Sequence, residues 1–330
     1  MKVAVFSSKQ YDRELLGDAL AGQAEINLDF IEVRLTGETA LLADGHDAVC
    51  CFVHDELNSG VIEILADKGI RWIALRCAGY NNVDLEACRK HGIKVSRVPA
   101  YSPYAVAEHA VGLILELNRK YSRAHNRIRE NDFSLDGLQG FDIHGKTVGI
   151  IGTGTIGACF ARIMAGFGCR ILAYDVQESS TVTDLGGRYV GLDELFASSD
   201  IISLHCPLLP ETKHLIRRET IEKMKRGVMI INTSRGALLD TSDAIGAIKS
   251  GQIGYLGLDV YEEEEGVFFE NLSSRIIHDD DLMRLTTFPN VRITSHQAFF
   301  THEALANIAK TTAENLVAWS QGKDSTCEVT

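Results

Sequence analysis

The sequence predicts an α/β protein built from two doubly wound parallel-sheet domains with a cleft between them. Three observations predict it. Short β-branched apolar runs alternate with helix-spaced segments along nearly all of the 330 residues, a pattern that builds parallel sheets through right-handed crossovers. The run 146–151 then feeds into Gly152-x-Gly154-x-x-Gly157 and a helix-spaced segment reaching residue 168. Finally, that strand, turn and helix follow about 145 residues that already carry strands and helices of their own. Two cores also suit a chain of this length better than one.

Residues 3–6 read as the first strand and 12–21 as an amphipathic helix. The alternation continues with a buried strand at 48–53, a helix at 60–67, a strand at 72–77, a helix at 85–91 and a strand at 93–95. Residues 78–84, Ala-Gly-Tyr-Asn-Asn-Val-Asp, form a turn-rich loop at a strand end, the edge at which open α/β sheets bind ligands. Pro99 and Pro103 break the alternation. Val106, Ala110, Leu113, Ile114 and Leu117 then recur at helical spacing, so 104–121 is a long helix passing between the domains. His109 lies in it beside Glu108 and, set in an apolar stripe, reads as structural.

In the second domain each glycine of the turn has a distinct task. Gly152 lets the chain turn sharply, Gly154 lets the backbone approach a pyrophosphate, and Gly157 lets helix and strand pack closely. The helix N-terminus adds unpaired N–H groups. A second strand, 170–175, ends in Asp175. A carboxylate there binds the ribose hydroxyls of an adenosine and repels a 2′-phosphate, which favours NAD over NADP. Further strands are expected at 189–190, 200–205, 227–233, 255–260 and 291–295, with helices at 192–197, 219–224 and 241–250. Cys206-Pro207 through Pro210 to Thr212 is an irregular loop. An amphipathic helix at 303–319 has no strand after it and is long enough to return to the first domain.

Composition narrows the partners. Lys and Arg total 33 against 45 Asp and Glu, a formal net charge of −12, which argues against a nucleic-acid or anionic-membrane surface. The eight cysteines show no C-x-x-C spacing, and most lie in apolar or helix-like segments, as reduced thiols of a cytoplasmic protein do. The N-terminal apolar run is too short for a signal peptide, and no later segment approaches a membrane span.

Three polar features follow strand ends in one half of the second sheet: Arg235, the acid run 262–265 after Asp259, and His296. Moving a hydride to a carbonyl carbon requires a proton for the developing alkoxide and a cation for the substrate's carboxylate. Histidine supplies the first and arginine the second. A nearby carboxylate favours the protonated form of a histidine. The three residue types complete one mechanism.

Together, Gly152-x-Gly154-x-x-Gly157 with Asp175, Asn232-Thr233-Ser234-Arg235-Gly236, residues 258–264 (Leu-Asp-Val-Tyr-Glu-Glu-Glu) and Ser295-His296-Gln297-Ala298 resemble the D-isomer-specific 2-hydroxyacid dehydrogenase family over nearly the whole chain. Within it, residues 6–12, the loop 75–81, the segment between Glu264 and His296 with Phe268-Phe269-Glu270, and Phe299 are most similar to the fermentative D-lactate dehydrogenases. The resemblance implies two domains, Rossmann-like and flavodoxin-like. One is a discontinuous substrate domain of residues 1–100 plus 299–330, and the other an NAD-binding domain of residues 101–298. It implies His296 as acid/base, Glu264 as its carboxylate partner and Arg235 as the clamp on the substrate. The backbone of Ala78 and Gly79 would complete the carboxylate site, with Tyr101 and Phe299 as walls. For NAD it implies Gly152, Gly154, Thr155, Ile156 and Gly157 at the pyrophosphate, and Asp175 on the ribose. Cys206, Pro207, Thr212, Thr233, Ser234 and Asp259 would lie along the enclosing loops, Asp259 also holding the catalytic end of the site in place. The choice of Glu264 within the acid run rests on the family's spacing from Asp259.

The implied reaction is reduction of pyruvate to D-lactate with NADH, without a metal, by a homodimer or homotetramer. A dehydrogenase for a bulkier 2-keto acid and an NAD-sensing protein similar to the family's corepressors are the alternatives. Formate dehydrogenases differ in having Gln where Glu264 stands, and phosphoglycerate dehydrogenases commonly add a regulatory domain for which this chain leaves no room. In the unrelated L-lactate dehydrogenases the glycine motif opens the chain.

Overall fold

The computed structural model describes residues 1–330 and divides into two units: 1–102 with 300–330, and 103–299. In the first unit the elements are β1 (Lys2–Val5), α1 (Gln10–Ala19), β2 (Asn27–Phe30), β3 (Ala48–Cys51), α2 (Ser59–Asp67), β4 (Trp72–Leu75), α3 (Leu85–His91) and β5 (Lys94–Ser96). All five strands are parallel, in the order β2-β1-β3-β4-β5, the flavodoxin-like arrangement. Side-chain alternation assigns the two faces. Val3, Val5, Cys50 and Ala74 pack on one side with Leu16 of α1. Ala4, Phe6, Val49, Ile73 and Leu75 pack on the other with Val61, Ile62 and Leu65 of α2. The strand β2 escaped the sequence reading because it is an edge strand with no fully buried residue.

The second unit contains α4 (Pro103–Arg119), α5 (Tyr121–Arg129), β6 (Thr147–Ile151), α6 (Thr155–Gly166), β7 (Arg170–Tyr174), α7 (Ser180–Asp184), β8 (Arg188–Tyr189), α8 (Leu192–Ser198), β9 (Ile201–Leu204), α9 (Arg218–Ile221), β10 (Val228–Asn232), α10 (Thr241–Ser250), β11 (Ile253–Leu258), α11 (Asp280–Thr287) and β12 (Val291–Ile293). Its seven parallel strands run β12-β11-β10-β9-β6-β7-β8. The order therefore reverses between β6 and β9, the switch point at which doubly wound sheets hold ligands. Val148, Ile150, Met229 and Ile231 pack with α4 and α6 on one face. Ile202, Leu204, Ile230 and Leu256 pack on the other with Ala244, Ile245 and Ile248 of α10.

The long helix expected over 104–121 is two helices. Lys120 takes a left-handed conformation with φ 55° and ends α4, and α5 follows with no buried residue. Without an apolar stripe, α5 had no periodicity to reveal it. The last helix, α12 (His302–Ser320), belongs to the first unit. There Leu316 and Trp319 join Val3, Val5 and Cys50 in one cluster, and α12 contacts α1 and β4.

Candidate active site

The glycine turn follows β6, beside the switch point. Gly152 has φ 93°, and a Cβ there would sit 2.4 Å from the amide nitrogen of Cys206. A Cβ on Gly157 would lie 2.0 Å from the carbonyl oxygen of Gly152, so helix α6 can approach its strand only with hydrogen at that position. Gly154 differs. A Cβ there meets nothing within 4 Å, so the space above the turn is open. Gly154 caps α6 without a side chain, and the first-turn amides, those of Thr155 and Ile156 among them, have no intrahelical acceptor. Those amides face the anion-binding end of the helix dipole.

An open groove of about 550 Å³ runs along this helix start, lined by Thr153, Gly154, Thr155, Asp175, Val176 and Gln177 among others. At its edge the Asp175 carboxylate accepts from the amide and hydroxyl of Thr153 and from the amide of Gln177. Burial alone would raise its pKa, but these hydrogen bonds outweigh burial and hold it below the usual carboxylate value. Asp175 is thus fixed as an anion at the end of β7, and Val176 and Gln177 after it offer no cation to a 2′-phosphate.

On the far side of the switch point the loops after β9 and β10 are tied together. Thr212 Oγ1 donates to the carbonyl of Pro207 at 2.7 Å and accepts from the amide of Leu209. Ser234 Oγ donates to the carbonyl of Cys206 at 2.6 Å. Thr233 is 7% exposed, and its hydroxyl is buried with no partner. A buried hydroxyl left unpaired is costly unless a ligand meets it, so it fits a bound dinucleotide, as the open cradle at Gly154 does.

Arg235, Glu264 and His296 follow three adjacent strands, β10, β11 and β12, at the carboxyl edge of the sheet. The Asn232 side chain shapes the first of these turns, donating to the carbonyl of Arg235 at 2.8 Å and accepting from the amide of Ser234. The half-buried Arg235 gives one N–H to the carbonyl of Ser234 at 2.7 Å, leaving most of its five donors uncommitted. Gly236 lets this turn meet the acid run, since a Cβ there would lie 2.1 Å from the carbonyl of Tyr261.

Of the four consecutive glutamates, geometry selects one for His296. Glu264 Oε1 is 2.8 Å from His296 Nδ1, while its Oε2 accepts from the amide of Tyr261 at 3.0 Å. Glu262 instead meets His214, and Glu263 and Glu265 are exposed. His296 itself has φ 52°, an unfavourable conformation for a residue with a Cβ. Its amide donates to the carbonyl of Asp259 at 2.7 Å. The Asp259 side chain is fully buried and accepts from the amides of Gln297 and Ala298 at 2.9 and 2.8 Å and from the hydroxyl of Thr294. One carboxylate therefore fastens the turn on both sides of His296, and this holding function is what the geometry gives Asp259.

Phe299 closes that turn and is 8% exposed. In the first unit, the carbonyl of Ala78 accepts from Arg97 at 2.9 Å and that of Gly79 from the thiol of Cys77, so both peptide planes are fixed. The carbonyl of Tyr101 accepts from Asn307 of α12 at 2.7 Å. Arg76, directly after β4 and 2% exposed, donates to Asp12 and to the carbonyls of Cys50 and Phe6.

Three residues of consequence had been given no chemical role by the sequence reading. His109 of α4 places Nε2 3.2 Å from Asp259 and 3.0 Å from the hydroxyl of Thr294. Phe269 sets its ring 5.7 Å from that of His296. His214 lies between Glu262 and Asp240. For Phe269 the signal was its place in the long segment between Glu264 and His296. For His109 and His214 no spacing rule would have found them, because their partners lie more than 20 residues away.

Known proteins resemble this chain over most of its length. Residues 111–298 match the family model described as D-isomer specific 2-hydroxyacid dehydrogenase, NAD binding domain. A D-lactate dehydrogenase of Curvularia clavata is 52% identical over 98% of this chain and 93% of its own. The solved apo-structure of D-lactate dehydrogenase from Escherichia coli is similar at a TM-score of 0.91 with 48% identity, covering 100% of both chains. A pyruvate reductase structure from Chlamydomonas reinhardtii is similar at 0.93 with 45% identity, covering 99% of this chain and 98% of that one.

Proposed function

The chain belongs to the D-isomer specific 2-hydroxyacid dehydrogenase family, and from that premise we propose that it is an NAD-dependent D-lactate dehydrogenase that reduces pyruvate. The observation that carries the reading is the His296–Glu264 pair at 2.8 Å, next to the strand end that bears Arg235. With Nδ1 committed to Glu264, the imidazole is oriented and its Nε2 is the nitrogen that gives a proton to a ketone oxygen. In the oxidative direction the same atom takes the proton back. The free N–H groups of Arg235 hold the substrate carboxylate as a two-point clamp. The backbone of Ala78 and Gly79, with Tyr101 and Phe299, belongs to the same proposal as substrate-binding elements.

NADH, when bound, supplies the hydride. The residues that would hold it are Gly154, Thr155 and Ile156 at the pyrophosphate and Asp175 at the ribose, with Thr233 offering its unpaired hydroxyl. Cys206, Pro207, Thr212 and Ser234 fix the enclosing loops, and Asp259 holds the catalytic turn. The Phe269 ring beside His296 narrows the room near the acid, which favours a small keto acid over a branched or aromatic one.

No helix is long and apolar enough to cross a membrane, and all eight cysteines are free. We read the protein as cytoplasmic on the second ground. Ile128 on α5 and Phe133 and Leu135 in the segment after it are 54%, 72% and 81% exposed. Such exposed apolar side chains support self-association as a homodimer or homotetramer, which light scattering measures.

The test is NADH oxidation by the purified protein across pyruvate, 2-ketobutyrate, 2-ketoisocaproate, phenylpyruvate and hydroxypyruvate, with product chirality read on a chiral column. Pyruvate should be preferred and D-lactate formed. A preference for a larger keto acid would keep the mechanism and change the substrate. Tight NADH binding without turnover on any of the five would instead favour an NAD-sensing protein.

A further inference from the structure

We propose that His109 is a positioning residue for the catalytic turn, acting through Asp259. The proposal rests on the dehydrogenase reading above. His109 stands on α4, and its Nε2 reaches two oxygens at once, Asp259 Oδ1 at 3.2 Å and Thr294 Oγ1 at 3.0 Å. The single hydroxyl proton of Thr294 points to Asp259 Oδ1, so the lone pairs of that hydroxyl remain for His109. A carboxylate oxygen also only accepts. Nε2 of His109 must therefore carry a proton, shared between the two oxygens.

The arrangement sets one imidazole N–H from α4 against a fully buried carboxylate. Asp259 in turn receives the amides of Gln297 and Ala298 on its carboxylate and that of His296 on its carbonyl. Between those attachments His296 is kept at φ 52°, a conformation that persists only where its surroundings impose it. When the His109 donor is removed, Asp259 and Thr294 lose their shared partner on the α4 side. The turn is then free to relax toward ordinary backbone angles, carrying the imidazole away from Glu264. His109 touches neither substrate nor cofactor in this scheme. Its effect falls on turnover and not on binding.

The experiment uses the full-length protein with NADH present and compares His109→Leu, which keeps bulk without a donor, with His109→Gln, whose amide nitrogen replaces Nε2–H. For His109→Leu, kcat on pyruvate should fall about 10- to 100-fold, as for loss of an outer hydrogen-bond partner of a site. The KM for pyruvate and the NADH dissociation constant should both stay within about threefold, the pattern of a loss confined to the chemical step. His109→Gln should recover most of kcat. A kcat within about twofold of the parent in His109→Leu, or Gln no better than Leu, would overturn the proposal.

A second measurement does not depend on the variants folding or on turnover. In ¹⁵N-histidine spectra of the unmodified holoenzyme, His109 should show its proton on Nε2, and an Nδ1–H tautomer would overturn the proposal as well. If the unmodified protein turned over no 2-keto acid, the dehydrogenase reading would fall, while the tautomer would still report on the His109–Asp259 contact.

Discussion

Acid should loosen the dinucleotide-binding unit through His205. This residue follows β9 directly, beside the glycine turn. Its ring packs 4.9 Å from that of Phe160, and its Nε2 meets Ser203 Oγ at 2.9 Å. Burial lowers its pKa from 6.5 to about 3, so the folded protein keeps it neutral at pH values where the unfolded chain is protonated. The unfolded state then binds more protons below pH 6.5, and stability falls as pH falls. At pH 5.0 the deficit is one and a half units at about 1.4 kcal/mol each, about 2 kcal/mol. The perturbation is His205→Gln, which keeps a partner for Ser203 and removes the titration. Both tryptophans, Trp72 and Trp319, lie in the first unit, so their fluorescence reports on the wrong unit. Hydrogen exchange at the β6 and β9 amides reads the right one. Between pH 7.5 and 5.0 the parent should lose about 2 kcal/mol more than the variant. Equal losses, to within about 0.5 kcal/mol, would refute a neutral buried His205.

Four further outcomes follow from the geometry. Gly157→Ala places a methyl group 2.0 Å from the Gly152 carbonyl and should lower thermal stability by about 1–3 kcal/mol, read by calorimetry. Gly154→Ala meets nothing within 4 Å and should leave the melting temperature unchanged while weakening NADH binding in a fluorescence titration. Arg235→Gln should cut kcat/KM for pyruvate by at least about 100-fold, since a charged hydrogen-bond pair is lost. NADH affinity should hold, and a loss equal in both would place Arg235 at the cofactor instead. Arg76→Met leaves Asp12, 8% exposed, without its partner and should destabilise the first unit by about 3–5 kcal/mol. Here tryptophan fluorescence in urea is the correct probe.

Most of the fold was legible because the strands follow simple rules. The run at 48–53 is apolar throughout and those at 200–205 and 227–233 are apolar at most positions, and the core strands found there, β3, β9 and β10, are buried on both faces. The elements that escaped are those without such a pattern. The edge strand β2 alternates only weakly, the helix α5 buries nothing, α7 is five residues long, and α11 buries only Leu282 and Leu285. Position after a strand end made Arg235 and His296 legible, because parallel sheets bring consecutive strand ends to one edge.

What position could not supply is partnership. Glu264 was picked from the acid run by resemblance alone, whereas the structure shows a physical basis. The turn at Gly236 presses on Tyr261 and Glu262, His214 takes Glu262, and the Tyr261 amide holds Glu264 so that its other oxygen reaches His296. The same reasoning explains His109. Helical periodicity reports which face of α4 is buried and is silent on what the face meets, and the fully buried Asp259 it meets lies 150 residues further along the chain. A histidine in an apolar stripe reads as structural only until its polar neighbour is known. Here that neighbour fastens the backbone on both sides of His296, so a residue that looks like packing in the sequence bears on the geometry of the proposed proton transfer.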